Sequence, residues 1–271
     1  MTTLVATAFL IGVIAYSAAA TLHFLDLTRA APLAAAGRWA PRLLTLAAIA
    51  HLLHVVATSV LSDHCPVSTL RFALSLSALI ATVGYLTVGT RKLFALGAIV
   101  APLALCSLVS AQVLGNWVRQ TQMSRSLLAV HVTVNLVGLA MFLLAGAASA
   151  FYLVHRRSLK RKHQAPGASR LPSLDTLDRA AHRLLLAGFP LLTLGIVTGA
   201  VPGADALFRD AVAVSRAVLA FGGWFLLAGV LLLRRLAGWS GKRAALGTLA
   251  GVACIATVLG MYLLATAGGR L

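Results

Sequence analysis

The chain has 271 residues, 60% of them hydrophobic and 11% charged, with a formal net charge of +17 and no glutamate. A soluble domain is roughly 45–50% apolar and keeps a charged surface, so this composition excludes a water-soluble globular protein and makes lipid the solvent for most side chains. The positive charge does not point to nucleic acid: Lys and Arg fall in short clusters between apolar runs, and no basic folded domain is left to bind it.

A spanning helix needs about 20 mainly apolar residues. On that measure the sequence predicts an all-α, polytopic integral membrane helix bundle. About eight transmembrane helices form one domain over residues 1–271, at approximately 3–24, 42–61, 70–89, 93–115, 127–154, 180–200, 212–233 and 244–266. The first run starts close to Met1 without basic residues and continues past Ala18-Ala19-Ala20, so it reads as a retained helix rather than a cleaved signal. The second carries His51 and His54, followed by His64, Cys65 and Pro66. The fifth opens on His131 and, at roughly 28 residues, exceeds what a bilayer requires; it is expected to tilt or to project its Arg156-Arg157 end into the cytoplasm. A basic linker over about 155–178 follows, where His155 and His163 read as solvated loop residues. The sixth run contains Gly195 and Gly199, a spacing that permits close helix approach.

The connections after runs one, three, five and seven, with the start of run six, hold 17 of the 23 Lys and Arg residues. Basic loops stay in the cytoplasm, so both termini are expected outside. Drawn this way, His54, His64 and His131 fall toward the outer face, with His51 one turn deeper than His54. His23 and His182 fall toward the inner one.

Polar side chains are costly in hydrocarbon, so those histidines carry most of the information. His51 and His54 lie on one stripe of a helix. Three readings stand open for them: hydrogen bonds to a neighbouring helix or to the interface, axial ligation of a haem or another metal, and a proton relay. His131 has Asn135 on the same face, able to orient its ring or to bond across helices. His64-Cys65-Pro66 reads as plain loop or as a thiolate site. Cys106 and Cys254 read as small buried hydrophobes, and the odd cysteine count implies no disulfide framework. No Walker loop, HExxH or nucleophile elbow is present, and all six acids are Asp near run ends, with Asp175 and Asp178 suited to a helix N-terminus. No catalytic residues are assigned.

Several stretches, in order, carry a resemblance. They are His51 in the second run, His64-Cys65-Pro66-Val67-Ser68, His131-Val132, and Leu171-Pro172-Ser173-Leu174-Asp175-Thr176-Leu177-Asp178. Gly188-Phe189-Pro190 through Thr198-Gly199-Ala200 and Gly238-Trp239-Ser240-Gly241-Lys242-Arg243 complete the set. In that order the chain resembles the cytochrome c assembly protein family, the CcsA- and CcmC-like haem-handling proteins, and especially its shorter HemX-like branch. The resemblance implies a haem cofactor and places His131 where the family has an external haem-ligating histidine. Together with the polar-residue reading it gives haem iron held through His131 and His54, with His51 and His64 as further outer candidates and His23 and His182 as inner ones. It also implies a bacterial-type inner membrane and other cytochrome c assembly proteins as partners.

Three departures stand beside it. Val201 to Asp210 lacks the Trp-rich segment of haem-presenting members. No second external histidine precedes Leu271, and the histidine expected before Gly238-Trp239 is Leu or Arg. The expected role is therefore haem binding or handling in support of c-type cytochrome assembly, as an accessory factor rather than a self-sufficient synthetase. A small-solute permease and a structural subunit that docks a partner are the alternatives.

Overall fold

The computed structural model describes residues 2–28, 34–61, 70–88, 93–113, 124–160, 171–200 and 210–267. Every expected span corresponds to one helix: α1 Thr2–Thr28, α2 Ala34–Leu61, α3 Leu70–Val88, α4 Gly97–Val113, α5 Arg125–Lys160, α6 Leu174–Ala200, α7 Ala211–Ala237 and α8 Lys242–Ala267. A 3-10 turn, Phe94–Leu96, leads into α4. Six of the eight are long and apolar enough to cross a membrane; α3 and α4 offer the shorter apolar stretches Leu74–Thr87 and Phe94–Ser110.

Helices α5 and α6 run antiparallel, and so do α7 and α8. On the α5–α6 pair, a Cβ at Gly138 would meet Leu191, one at Gly195 would meet Asn135, and one at Gly199 would meet His131. On α7–α8, Gly223 faces Cys254 and Gly247 faces Val230. One end of the bundle, the basic end, therefore gathers the close of α5, the start of α6 and the α7–α8 turn. The far end gathers the start of α5, the close of α6, the start of α7 and the close of α8.

Alanines make the contacts between α1–α5: Ala15, Ala19, Ala47, Ala81, Ala101 and Ala148 are at most 5% exposed, around the larger Tyr16, Leu44 and Tyr85. Lipid tails are as apolar as leucine, so helices in a membrane gain by close packing of small residues rather than by escaping water. A second cluster joins Phe142 and Ala145 of α5 to Leu185, Leu227, Val230 and Ala244. Helix α5 belongs to both clusters. It is the central helix, with 61% of its apolar window buried against 17–39% in the other five long spans. Outward-facing Leu10, Ile14, Ile49, Val218 and Phe225 are exposed, an arrangement suited to lipid contact and a liability in water.

The basic stretch differs from the expectation. Helix α5 continues to Lys160 and α6 starts at Leu174, so the supposed linker of 155–178 is helical at both edges. Arg and Lys are good helix formers and are favoured in a last turn, where they offset the helix dipole, so nothing forces α5 to stop at the membrane surface. Ser173 starts α6 by accepting from the Thr176 N–H at 3.2 Å. His155 is consequently not a loop residue: it lies half-buried on α5, with Nδ1 3.0 Å from the Pro172 carbonyl. His163 lies outside the described residues.

Candidate functional site

The far end of α5–α6 carries the most specific arrangement. The His131 ring lies against Gly199, where an added Cβ would come within 2.8 Å of the ring. Gly195, one turn earlier, gives the same room to Asn135. The two glycines thus serve as sockets for two polar side chains of the neighbouring helix. Thr198 Oγ1 donates to the Leu194 carbonyl at 2.6 Å, which leaves its oxygen to accept from His131 Nδ1–H at 2.9 Å. Asn135 Nδ2 donates to the His131 carbonyl at 2.7 Å. With the Thr198 hydroxyl hydrogen given to Leu194, Nδ1 donates and the basic lone pair falls to Nε2, which faces Asn135 Nδ2 at 3.4 Å. A hydroxyl that holds one ring nitrogen in this way fixes the orientation of the imidazole and its remaining lone pair.

His54, on α2, is 4% exposed. Its Nδ1 donates to the Val5 carbonyl of α1 at 3.1 Å, and its Nε2 accepts from the Gln112 amide of α4 at 2.7 Å. His51 is fully buried, with Nδ1 3.2 Å from the Tyr16 hydroxyl and Nε2 2.7 Å from Ser75 Oγ. These contacts tie α2 to α1, α3 and α4. His64 lies outside the described residues, as do Cys65 and the stretch 201–209.

On α1, His23 is fully buried, and neither ring nitrogen has a hydrogen-bond partner among the described residues. Its ring stacks 4.4 Å from Phe94, meets Tyr85 edge-on and fills the space a Cβ on Gly97 would need. His182 lines a small cavity with Ser149, Tyr152, Asp178, Arg234 and Thr248. Within it, Ser149 Oγ and His182 Nδ1 are buried without partners among the described residues. Asp178 accepts from Arg234 NH1 and NH2 at 3.1 and 2.6 Å and from the Gly241 N–H at 3.0 Å. Of the two acids assigned to the α6 helix dipole, then, only Asp175 remains local, in an exposed pair with Arg179. Asp178 instead fastens α6 to the α7–α8 turn, where Gly241 takes φ +65°.

Among the described residues, no three His, Cys, Asp or Glu side chains converge on one point. Haem brings its own equatorial ligands and asks the protein for one imidazole per face. The His131 donor set fits that demand once the long Asn135 Nδ2 contact with Nε2, 3.4 Å, gives way. At His54 the Gln112 bond would have to give way, and both His51 nitrogens are engaged in helix packing.

The sequence profile of the Cytochrome C assembly protein family matches residues 39–266. The chain belongs to this family. Similar proteins include Protein HemX of Brevibacillus brevis, 38% identical over 81 residues, covering 30% of each chain. The cytochrome c biogenesis protein CcsA of Chlamydomonas reinhardtii is 27% identical over 202 residues, 68% of this chain and 54% of that one. CcsA of Gloeobacter violaceus is 37% identical over 94 residues, 34% and 27% of the two chains. The matches span about half, or less, of the length of these curated relatives. No solved structure matches the chain. Two of the stretches that carry the family resemblance meet in space: Asp178 of the first is hydrogen-bonded to Gly241 of the second.

Sequence reasoning did not name Thr198, Gln112, Tyr16 or Ser75 as partners of the histidines. Each is a polar residue in an apolar helix, and that alone was the available signal.

Proposed function

We propose that this protein binds haem at the far end of its bundle and supports c-type cytochrome assembly as an accessory factor in a bacterial-type inner membrane. It works there with other cytochrome c assembly proteins. The observation that carries the reading is the His131–Thr198 pair, an imidazole seated on Gly199 with its Nδ1–H held by a hydroxyl. His131 Nε2 would hold the iron, with His54 and His64 as the further outer candidates and His23 and His182 as the candidates for an inner site. The bound iron brings the redox and ligand-exchange chemistry of a porphyrin; the chain's own part is to orient the imidazole and to surround the macrocycle with lipid-facing helices. All the α5–α8 basic clusters lie at the opposite end, which supports an arrangement with both termini outside and the haem end facing away from the cytoplasm.

The test is an absorption spectrum of protein purified from its native membrane and after titration with haem. The expected result is a Soret band of imidazole-ligated iron that is lost or strongly shifted in His131→Ala. Absence of any such band in the wild-type protein, or a band unchanged when His54 and His131 are both replaced by Ala, would remove the assignment.

A further inference from the structure

Arg216 stands five residues into α7, a helix long and apolar enough to cross a membrane. A guanidinium in such a helix is costly unless it is paired or reaches water. Its Nε makes one long bond, 3.4 Å to the Val212 carbonyl. Its guanidinium carbon lies 4.5 Å over the ring of Tyr262 on α8, a cation–π contact that holds the group between the two helices. Its NH1 is buried, with no hydrogen-bond partner among the described residues. Among the described residues, Asp175 and Asp178 belong to the basic end, and the Asp210 carboxylate caps α7 by accepting from Ala213 N–H at 2.7 Å; Asp63 and Asp205 lie outside the described residues. The group is thus held in place with donors to spare, and the planar fork of a guanidinium matches a carboxylate.

Its level in the bundle follows from a contact between α6 and α7: Trp224 Nε1 donates to Thr193 Oγ1 at 2.9 Å. From that crossing, Arg216 is eight residues toward the far end, about 12 Å at helical rise, and Thr198 is five, about 7.5 Å. Arg216 therefore stands about one helical turn beyond the Thr198–His131 pair, toward the aqueous surface at that end. Haem has the matching asymmetry, with iron at the centre of an apolar ring and two carboxylates on one edge.

We propose that Arg216 is a carboxylate-binding subsite, taking a propionate of the haem whose iron is bound by His131. The subsite rests on the haem reading above. It orients the macrocycle with its acid edge toward the far surface, and Tyr262 pre-organises the guanidinium for that contact.

The experiment compares haem with haem dimethyl ester, which keeps the ring and the iron and lacks both carboxylates. Each is titrated into the full-length wild type, Arg216→Gln and Arg216→Lys. Wild type should bind haem more tightly than the ester. Arg216→Gln should lose about tenfold or more in haem affinity, the worth of a charge-assisted bond, with ester affinity and Soret position unchanged. Arg216→Lys should recover part of the loss. Equal losses for haem and ester would mean that Arg216 only supports folding, and unchanged haem affinity would mean that it touches no propionate; either result overturns the subsite. If wild type binds haem through His131 while Arg216→Gln is silent, the haem reading stands without it. If wild type binds neither compound, the haem reading itself has failed and the subsite with it.

Discussion

Replacing Asp178 by Ala tests how far the basic end depends on one carboxylate. Asp178 and Arg234 are 14% and 18% exposed and meet through two hydrogen bonds, and the same carboxylate accepts from Gly241 N–H. Its loss leaves the Arg234 guanidinium without its carboxylate and removes the acceptor of the Gly241 N–H in the α7–α8 turn. Breaking a fully buried pair costs about 3–5 kcal/mol and an exposed one about 0–1 kcal/mol. At this intermediate burial, about 2–3 kcal/mol is expected for Asp178→Ala. That corresponds to a fall in Tm of about 5–10 °C for a chain of this size. Arg234→Ala should cost less, since the carboxylate keeps its bond from the Gly241 N–H. The double variant should recover about 1–2 kcal/mol relative to the sum of the singles. Thermal unfolding in detergent, followed by the fluorescence of Trp239 and Trp224 and by circular dichroism, measures all four corners of the cycle. Strictly additive losses would refute the reasoning, because they would show that the ion pair is idle and that α6 is held by packing alone.

Three further outcomes follow from the geometry. Thr198→Val deprives His131 Nδ1–H of its acceptor and should weaken haem binding by about 10- to 100-fold with a shifted Soret band; Thr198→Ser should restore both, and an unaltered spectrum in Thr198→Val would show that the hydroxyl does not orient the ring. Gly97→Ala places a methyl group inside the His23 ring and should cost about 1–3 kcal/mol; in a His23→Ala background the same change should be nearly neutral, and equal costs in both backgrounds would contradict the contact. For the topology, single cysteines at Ser124 and Ser173 in a cysteine-free chain should differ in intact cells. An impermeant thiol reagent should label position 124 and spare 173, and the reverse pattern would invert the proposed orientation.

The helices were legible because a bilayer imposes a local demand: each crossing segment must be apolar and satisfy its own backbone, so hydropathy alone marks it. Cytoplasmic retention of Lys and Arg is similarly local, and the histidines could be sorted by bundle end before any coordinates. His131 lies at the far end of the α5–α6 pair and His182 at the basic end of α6. Helix ends were less legible. The bilayer sets where an apolar run stops, not where a helix stops, and α5 therefore runs through Arg156 and Arg157 to Lys160.

The sequence by itself determined a membrane bundle, its helix order, its family resemblance and the short list of polar groups worth explaining. Which polar group meets which was decided by tertiary structure. His131 and Thr198 are 67 residues apart, Asp178 and Arg234 are 56, and His54 and Gln112 are 58. Such pairs depend on how each helix is rotated about its axis, and in lipid that rotation is set by the fit of small residues such as Gly195 and Gly199 against their neighbours rather than by a water-facing pattern. The apolar stripe that would reveal rotation in a soluble helix is absent when both faces are apolar, so only the packed structure could seat His131 on α6.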